Sequence, residues 1–376
     1  MTPPGPREAP PPDAPISRST RSHDDLARRL EAWLRDGPLG LADASLTDLS
    51  VPETGGMSSE TLLFDLTWTE EGRTRRARRV ARVEPDPGDM PVFPRYDLAA
   101  QARVMRLVAE RTTVPVPAVI AVEDDPTVLG TPFIVMERVD GRVPPDVMPY
   151  TMQGWLRDSP EADRRALQDA TVRLLAALHA VVPEACDLSF LAYDAPGDTP
   201  LRRHVEHWRR YYDWVRGDLR FPLLDAAFAR LDDTWPTEEE PAALSWGDAR
   251  IGNVIYRDHQ PAAVLDWEMA GVAPPGVDLG WFVVLHRFFD GIAEMLGVEG
   301  MPSFARRTDV LDAYARAGGR VPADPDFFEL YAALRHGIVM ARVHARRVHF
   351  GEAAWPDDPD DAIMHRPMLE SMLDGS

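Results

Sequence analysis

Three polar side chains in one short segment have the types and spacing for metal-assisted proton transfer. Asp248 lies in a Gly-Asp turn after an apolar stretch, and Asn253 follows five residues later. The stretches VIY and AAVLD then predict a β-hairpin that ends at Asp266. Because the hairpin brings the Asn253 amide and the Asp266 carboxylate together, their oxygens suit Mg²⁺, which proteins bind through carboxylates and substrate phosphates. Asp248, just upstream, is placed to accept a proton from a hydroxyl group.

The segment from Trp246 to Asp278 resembles the catalytic and metal-binding loops of the protein-kinase-like superfamily. The order WGDARIGNV, then VLDWE, then a D-L-x-W helix start is closest to the aminoglycoside phosphotransferase and choline kinase-like family, in its bacterial phosphotransferase branch. The resemblance covers about residues 40–350. It implies a kinase that uses ATP or GTP with Mg²⁺ and transfers phosphate to a hydroxyl group.

The resemblance assigns a role to each polar residue of the segment. Asp248 is the implied catalytic base, Asn253 and Asp266 are the implied Mg²⁺ ligands, and Asp278 is the implied support of the catalytic loop. Arg250 stands where many kinases place a lysine near the transferred phosphate. The chain contains no lysine, so arginine must supply positive charge wherever a site needs it.

The resemblance also implies a nucleotide site in the first part of the chain. The backbone of a short loop before a strand would bind the phosphates; its residues are Gly55, Gly56, Met57, Ser58 and Ser59. Arg82 matches the family's nucleotide-binding basic residue, and Gln101 stands where a glutamate usually pairs with it. The backbone of Glu137 and Val139 would contact adenine at a hinge.

Three positions depart from the family pattern. Trp246 stands where the family usually has a histidine of mainly structural role. A hydrogen bond from Arg82 to the Gln101 side-chain oxygen would lack the charge of a glutamate and be weaker. The metal-binding loop reads Asp-Trp-Glu from Asp266 and has no glycine. These departures leave open a nucleotide-binding regulatory protein without transfer activity.

The elements that position these residues follow from hydrophobic periodicity and turn signals. A helix is predicted over 23–36, capped by Ser22, and the later helices are predicted over 97–110, 160–181, 200–216, 222–232, 278–296, 307–317 and 326–346. Strands are predicted over 61–68, 78–84 and 131–139, with a short strand after the prolines of VPVPAVIAVED and a short β-rich stretch at 243–268. The predicted fold is α+β and bilobal, protein-kinase-like, with a small antiparallel β-sheet lobe containing one helix and a larger, mainly helical lobe. We predict a disordered tail at 1–20, a nucleotide-binding lobe at 21–140 and a catalytic, acceptor-binding lobe at 141–376.

Composition limits the partners and the location. A net charge of −20 argues against binding of nucleic acid. No apolar run approaches the length that spans a bilayer, so we expect no membrane partner. The single cysteine, Cys186, and a proline-rich N-terminus without an apolar segment favour a cytoplasmic location. The sequence does not indicate an oligomeric state.

The acceptor is expected to be a small molecule with a hydroxyl group. Positions 266 and 278 are only twelve apart and no A-P-E motif follows, which argues against a protein kinase. An aminoglycoside, a macrolide, a sugar, a choline-like alcohol and a hydroxyacyl compound stay open. Five aromatic residues either line the acceptor pocket or pack helices together: Trp155, Trp208, Tyr211, Tyr212 and Trp214. Trp281 and His179 are predicted to be packing residues.

Overall fold

The computed structural model describes residues 21–51 and 60–375. The predicted tail at 1–20 and the predicted phosphate loop, Gly55 to Ser59, lie outside the described residues. Within the described ranges, a β-sheet is followed by a larger, mainly helical part. This arrangement confirms the predicted α+β fold class.

Five strands form an antiparallel sheet in the first part of the chain, in the order β1-β2-β3-β5-β4. They are β1 (Ser45–Ser50), β2 (Glu60–Glu70), β3 (Arg73–Val83), β4 (Val119–Glu123) and β5 (Phe133–Glu137). The strands predicted with bounds correspond to β2, β3 and β5, and the short strand predicted after the prolines corresponds to β4. Strand β1 escapes prediction because its residues are mostly exposed and give no apolar alternation.

The β2–β3 hairpin determines where Arg82 lies. Glu71 and Gly72 form a two-residue turn with φ of 51° and 71°, the positive pair that suits the twist of a hairpin. Pairing then continues without a break from Glu70 opposite Arg73 to Glu60 opposite Val83. Because side chains alternate along a strand, Arg82 lies on the face opposite to its buried neighbour Val83.

Helix α1 (His23–Asp36) covers the face of the sheet that carries Val83. Ser22 caps the helix, as predicted, by accepting a hydrogen bond from the Asp25 N–H. The apolar side of α1 is buried with Phe64 and Phe133 in one cluster. The other face of the sheet, with Arg82, is therefore left for the functional site.

The remaining helices follow the predicted pattern, and the shared boundaries differ by at most three residues. They are α2 (Leu98–Arg111), α3 (Pro126–Leu129), α4 (Trp155–Asp158), α5 (Glu161–His179), α6 (Pro200–Arg216), α7 (Pro222–Asp233), α8 (Gly276–Met295), α9 (Arg307–Arg316), α10 (Pro325–His349) and α11 (Arg366–Asp374). The short α3 and α4 and the C-terminal α11 are not predicted. Helices α8 and α10 pack along each other in the helical part.

Two small antiparallel pairs carry the predicted catalytic segment. Strand β6 (Ala243–Ser245) pairs with β9 (Gly271–Ala273), and β7 (Val254–Arg257) pairs with β8 (Gln260–Val264). The first loop, with Asp248, leaves β6, and the second, with Asp266, leads to β9. Since β6 and β9 are hydrogen-bonded neighbours, both loops are anchored at one place.

Candidate active site

Asp248 is buried and held by three side chains. The Asn253 Nδ2 donates to one carboxylate oxygen at 2.6 Å, and the Trp281 Nε1 donates to the other at 2.7 Å. The Arg250 Nε lies 3.2 Å from each oxygen. Four donor contacts on one carboxylate fix its orientation, and charge-assisted bonds of this kind are the strong ones.

Asp278, at the start of α8, anchors the backbone before Asp248. One oxygen accepts from the Gly247 N–H and the Ser245 hydroxyl, each at 2.8 Å. The other accepts from the Trp246 N–H at 2.8 Å and from the His179 Nε2 at 3.0 Å. Burial alone would raise the pKa of Asp278, but the hydrogen bonds from His179, Gly247 and Ser245 lower it below its usual value. Asp278 therefore stays ionised and holds the loop.

Trp246 joins the two loops of the site. Its fully buried indole N–H donates to the Leu265 carbonyl at 2.9 Å and lies 3.1 Å from the Asp266 carbonyl. The tryptophan at this position thus supplies a donor where the family usually has a histidine. Trp246 therefore attaches the loop with Asp248 to the loop with Asp266.

Asn253 and Asp266 are brought together by the β7–β8 hairpin. The Leu265 N–H donates to the Asn253 carbonyl at 2.8 Å, which places Asp266 next to Asn253. With the Asn253 Nδ2 donating to Asp248, its amide oxygen is turned away from that carboxylate. Within the described ranges, no three His, Cys, Asp or Glu residues cluster as a ready metal site. One amide oxygen and one carboxylate nevertheless fit Mg²⁺, which takes most of its other ligands from water and phosphate.

Arg82 reaches across from the sheet to the loop with Asp266. Its guanidinium forms an ion pair with Asp266 and a second with Glu268 at 3.0 Å. Burial lowers the pKa of Arg82, but the two carboxylates raise it above its ordinary value. The expected hydrogen bond from Arg82 to Gln101 is not formed within the described part of the chain; Gln101 is buried on α2 instead. The physical reason is that two carboxylates attract the guanidinium more strongly than a neutral amide does.

Arg250 bridges two carboxylates. Besides Asp248, it forms an ion pair with Asp146, which lies in the loop before α4. The second Asp146 oxygen is buried without a hydrogen-bond partner in the described structure. Gly252 allows this close approach, because a Cβ there would lie 2.6 Å from that oxygen. The positive charge predicted beside Asp248 is therefore in place.

The two predicted hinge residues lie at the end of β5. Glu137 ends the strand, and its N–H already donates to the Ala118 carbonyl at 2.9 Å. Val139 follows after the strand and is half-buried. Contact of either residue with adenine stays a prediction.

Comparison with known proteins identifies the family. A model of the phosphotransferase enzyme family matches residues 65–331, which is more than half of the chain. The chain belongs to the phosphotransferase enzyme family. The matched range includes both loops of the site and the strand that carries Arg82.

Solved structures share the fold of this phosphotransferase. One is a protein from Ralstonia eutropha JMP134 provisionally named an aminoglycoside phosphotransferase, with a TM-score of 0.60, 26% identity, and coverage of 92% of this chain and 97% of that chain. Another is the macrolide 2′-phosphotransferase MphH from Brachybacterium faecium, with a TM-score of 0.54, 18% identity, and coverage of 92% and 98%. These similarities confirm the kinase-like fold and the class of enzyme, a small-molecule phosphotransferase.

Curated relatives of this phosphotransferase are longer proteins. It is 29% identical over 274 residues to acyl-CoA dehydrogenase family member 11 of Gallus gallus, covering 69% of this chain and 33% of that protein. It is 25% identical over 264 residues to family member 10 of Mus musculus, covering 67% of this chain and 23% of that protein. The chain thus spans about a third or less of the length of these relatives.

Two predicted packing residues of the phosphotransferase have polar functions in the site. Trp281 donates to Asp248, and His179 donates to Asp278 while its other nitrogen contacts the Tyr314 hydroxyl at 2.8 Å. The sequence offered one signal for Trp281, its place in the D-L-x-W helix start. It offered none for Asp146, whose loop has no motif.

The aromatic residues considered for the acceptor pocket mainly pack helices. Trp208, Tyr211 and Tyr212 are buried on α6, whereas Trp214 is exposed. Trp155 packs against the Arg142 guanidinium at 4.5 Å. No helix in the described part of the phosphotransferase is long and apolar enough to cross a membrane.

Proposed function

We propose that this phosphotransferase transfers the γ-phosphate of ATP or GTP, with Mg²⁺, to a hydroxyl group of a small molecule. The observation that carries the proposal is the position of Asp248. Its carboxylate is oriented by Asn253 and Trp281, directly beside the loop that presents Asp266. A base, an amide oxygen and a second carboxylate in this order suit phosphoryl transfer.

Asp248 would act on the acceptor hydroxyl. As the hydroxyl oxygen attacks the γ-phosphorus, Asp248 takes its proton. A new oxygen–phosphorus bond forms, and the bond from phosphorus to the bridging oxygen of the nucleoside diphosphate breaks. Positioning of the two reactants would supply most of the rate, because little covalent chemistry is left to the protein.

Arg250 would move during the reaction. It contacts both oxygens of Asp248. Together with Asn253 and Trp281 it therefore occupies the hydrogen-bonding positions of the carboxylate that an acceptor hydroxyl would need. A transferred phosphate is a stronger partner for a guanidinium than a third contact on a saturated carboxylate. Turning towards phosphate, Arg250 would free Asp248 and stabilise the developing negative charge.

Arg82, Asn253 and Asp266 would bind the nucleotide and its metal. The buried Arg82 Nε has no hydrogen-bond partner in the described structure, so the guanidinium has capacity for phosphate oxygens. The Asn253 amide oxygen and the Asp266 carboxylate would hold Mg²⁺, which neutralises phosphate charge when bound. Gly55 to Ser59 would cover the phosphates, and Glu137 and Val139 would contact the base.

The acceptor is proposed at the level of its chemistry, a small molecule with a hydroxyl group. The solved relatives carry the names of aminoglycoside and macrolide phosphotransferases. The curated relatives carry the name of acyl-CoA dehydrogenases. These names place hydroxyacyl thioesters beside aminoglycosides and macrolides in the first set of acceptors to be tested.

A second candidate is a regulatory protein that binds nucleotide without transferring phosphate. It is favoured by the neutral Gln101 and by the contacts that occupy Asp248. It is opposed by the intact set of Asp248, Asn253 and Asp266. Stabilisation by ATP without turnover of any acceptor would support this alternative.

Asp248→Asn tests the proposed function. We expect ATP consumption with a responsive acceptor to fall about 100-fold or more, the usual contribution of a general base, while nucleotide affinity by calorimetry is unchanged. Asp258→Asn, in the exposed β7–β8 turn, is the matched control and should keep wild-type activity. Equal rates for wild type and Asp248→Asn would show that Asp248 is not the base.

A further inference from the structure

A fully buried arginine lies behind the catalytic loop. Arg335 is on α10 and has no exposed surface. Its Nη2 donates to the Gly247 carbonyl at 2.9 Å. Its Nε and Nη1 have no hydrogen-bond partner in the described structure. Arg335 therefore donates a hydrogen bond to the residue directly before Asp248.

Aromatic rings enclose the Arg335 guanidinium. Its central carbon lies 4.5 Å from the ring centre of Trp281, 4.7 Å from that of Trp208 and 5.6 Å from that of Tyr331. These distances are in the range of cation–π attraction, which is strongest for tryptophan. The guanidinium is thus held in one place and holds the Trp281 ring in turn.

Stability does not account for an arginine at this position. Burial lowers the pKa of Arg335, which reports the cost of keeping its charge away from water. The direct partner is a carbonyl, not a carboxylate. Taking a charge out of water costs several kcal/mol, which a single hydrogen bond to a carbonyl does not fully offset. The arginine is better explained by what it positions.

Both contacts of Arg335 lead to Asp248. The Gly247 carbonyl belongs to the peptide group that joins Gly247 to Asp248, and the N–H of Gly247 is bound by Asp278. Gly247 has φ of +87°, and a Cβ there would lie 2.0 Å from the Met269 carbonyl oxygen, so only glycine fits. The Trp281 ring that stacks on Arg335 donates directly to Asp248. Arg335 therefore touches the peptide group directly before Asp248 and one of the three side chains that hold its carboxylate.

We propose that Arg335 is a positioning residue that fixes the Gly247 peptide and the Trp281 indole so that Asp248 points at the acceptor. The kinetic part rests on the proposed phosphotransfer function, whereas the geometric part does not. The role needs both a charged donor for the Gly247 carbonyl and a flat surface for Trp281, and the planar, permanently charged guanidinium of arginine offers both.

The kinetic test compares two arginines of the same helix. Arg342 on α10 also stacks on a tryptophan, Trp214, at 4.1 Å and also donates to a carbonyl, that of Pro91, but it lies away from Asp248. We expect Arg335→Met to lower kcat about 100-fold, the scale of a small misplacement of reacting groups, with unchanged nucleotide affinity and a Tm equal to or above that of wild type. Arg342→Met should keep kcat within about twofold of wild type. A kcat for Arg335→Met within about threefold of wild type, or an equal loss in both variants, overturns the proposal.

Arg335→Lys keeps the test decisive where Arg335→Met does not fold. Lysine retains the charge and a donor but not the flat surface, so kcat should fall between those of wild type and Arg335→Met. A native fold with wild-type kcat in Arg335→Lys contradicts the need for the guanidinium plane.

The geometric test needs no turnover. In protein labelled with ¹⁵N-tryptophan, the Trp281 indole N–H signal, assigned with Trp281→Phe, should move in Arg335→Met and Arg335→Lys and stay fixed in Arg342→Met. An unmoved signal overturns the positioning role, even if the kinetics change. If the wild type transfers phosphate to no acceptor, the proposed function fails, and this signal alone decides the role of Arg335.

Discussion

The Arg82 guanidinium forms an ion pair with Asp266, which joins strand β3 to a loop 184 residues further along the chain. The pair connects the predicted nucleotide-binding residue directly to a predicted metal ligand. Glu268 shares the same guanidinium. Binding of a nucleotide with its metal at the proposed site would therefore compete with contacts that already exist inside the protein.

Arg82→Met should weaken nucleotide binding. The change removes charge-assisted hydrogen bonds worth about 1.5–3 kcal/mol each, and it leaves Asp266 and Glu268 without a cation beside the phosphates. We expect the Kd of the nucleotide with Mg²⁺, measured by calorimetry, to rise about 10- to 100-fold. Arg76→Met, an exposed site on the same strand, should leave the Kd unchanged. An unaltered Kd in Arg82→Met would remove Arg82 from the nucleotide site.

Asp266→Ala should abolish the Mg²⁺ dependence of nucleotide binding. The variant loses a carboxylate ligand, while Arg82 retains Glu268 as a partner, so the fold should persist. Calorimetry with and without Mg²⁺ checks the effect, and Asp258→Ala in the exposed turn serves as control. The same metal dependence in Asp266→Ala and wild type would show that the metal lies elsewhere.

Trp281→Phe should lower kcat about tenfold, because Asp248 loses one hydrogen-bond donor. A hydrogen bond to a charged group contributes about 1.5–3 kcal/mol. Asp248 keeps its contacts with Asn253 and Arg250. Trp235→Phe is a close control, since Trp235 also donates its indole N–H to a carboxylate, that of Glu239 at 2.8 Å. Steady-state kinetics with saturating nucleotide separates the two variants. Equal kcat values for them would mean that the Trp281 hydrogen bond does not orient Asp248.

The free energy of unfolding should decrease as the pH falls from about 6.5 to 4. Burial lowers the pKa of His365 to about 4, with a hydrogen bond to the Ala333 carbonyl opposing it. The folded protein therefore binds this proton less readily than the unfolded chain, which titrates near 6.5. In that range the unfolded state gains protons first, so acid destabilises the fold, by roughly 3 kcal/mol at the low end.

His365→Gln should remove the contribution of this histidine to the pH dependence, because glutamine can donate to the same carbonyl without titrating. His349→Gln, at an exposed position, should not. Urea unfolding between pH 4 and 7 measures the difference. The same slope in both variants would show that His365 does not contribute to acid sensitivity.

The sequence predicted the parts of the site that depend on local spacing. Asp248, Asn253 and Asp266 lie on one hairpin and its flanking loops, so short-range pattern is sufficient to bring them together. The anchoring role of Asp278 was implied by the resemblance to the kinase-like family, which includes the D-L-x-W helix start. The same local signals explain why the helix boundaries agree closely with prediction.

The parts that sequence could not supply depend on packing between distant elements. Asp146 reaches Arg250 across 104 residues, and His179 reaches Asp278 across 99. Neither pair has a sequence signature. Gln101 shows the opposite case. Its position predicted a hydrogen bond with Arg82, but Arg82 forms ion pairs with Asp266 and Glu268 instead.

Arg82, in strand β3, also determines how this protein will respond to chemical profiling. Reactive nucleotide probes that acylate an ε-amino group near the phosphates find no such group, because the chain has no lysine. A guanidinium stays protonated and is not nucleophilic at neutral pH. Surveys that detect kinases by lysine acylation will therefore pass over this protein, whereas a dicarbonyl reagent selective for arginine, blocked by bound nucleotide, offers a direct footprint of Arg82.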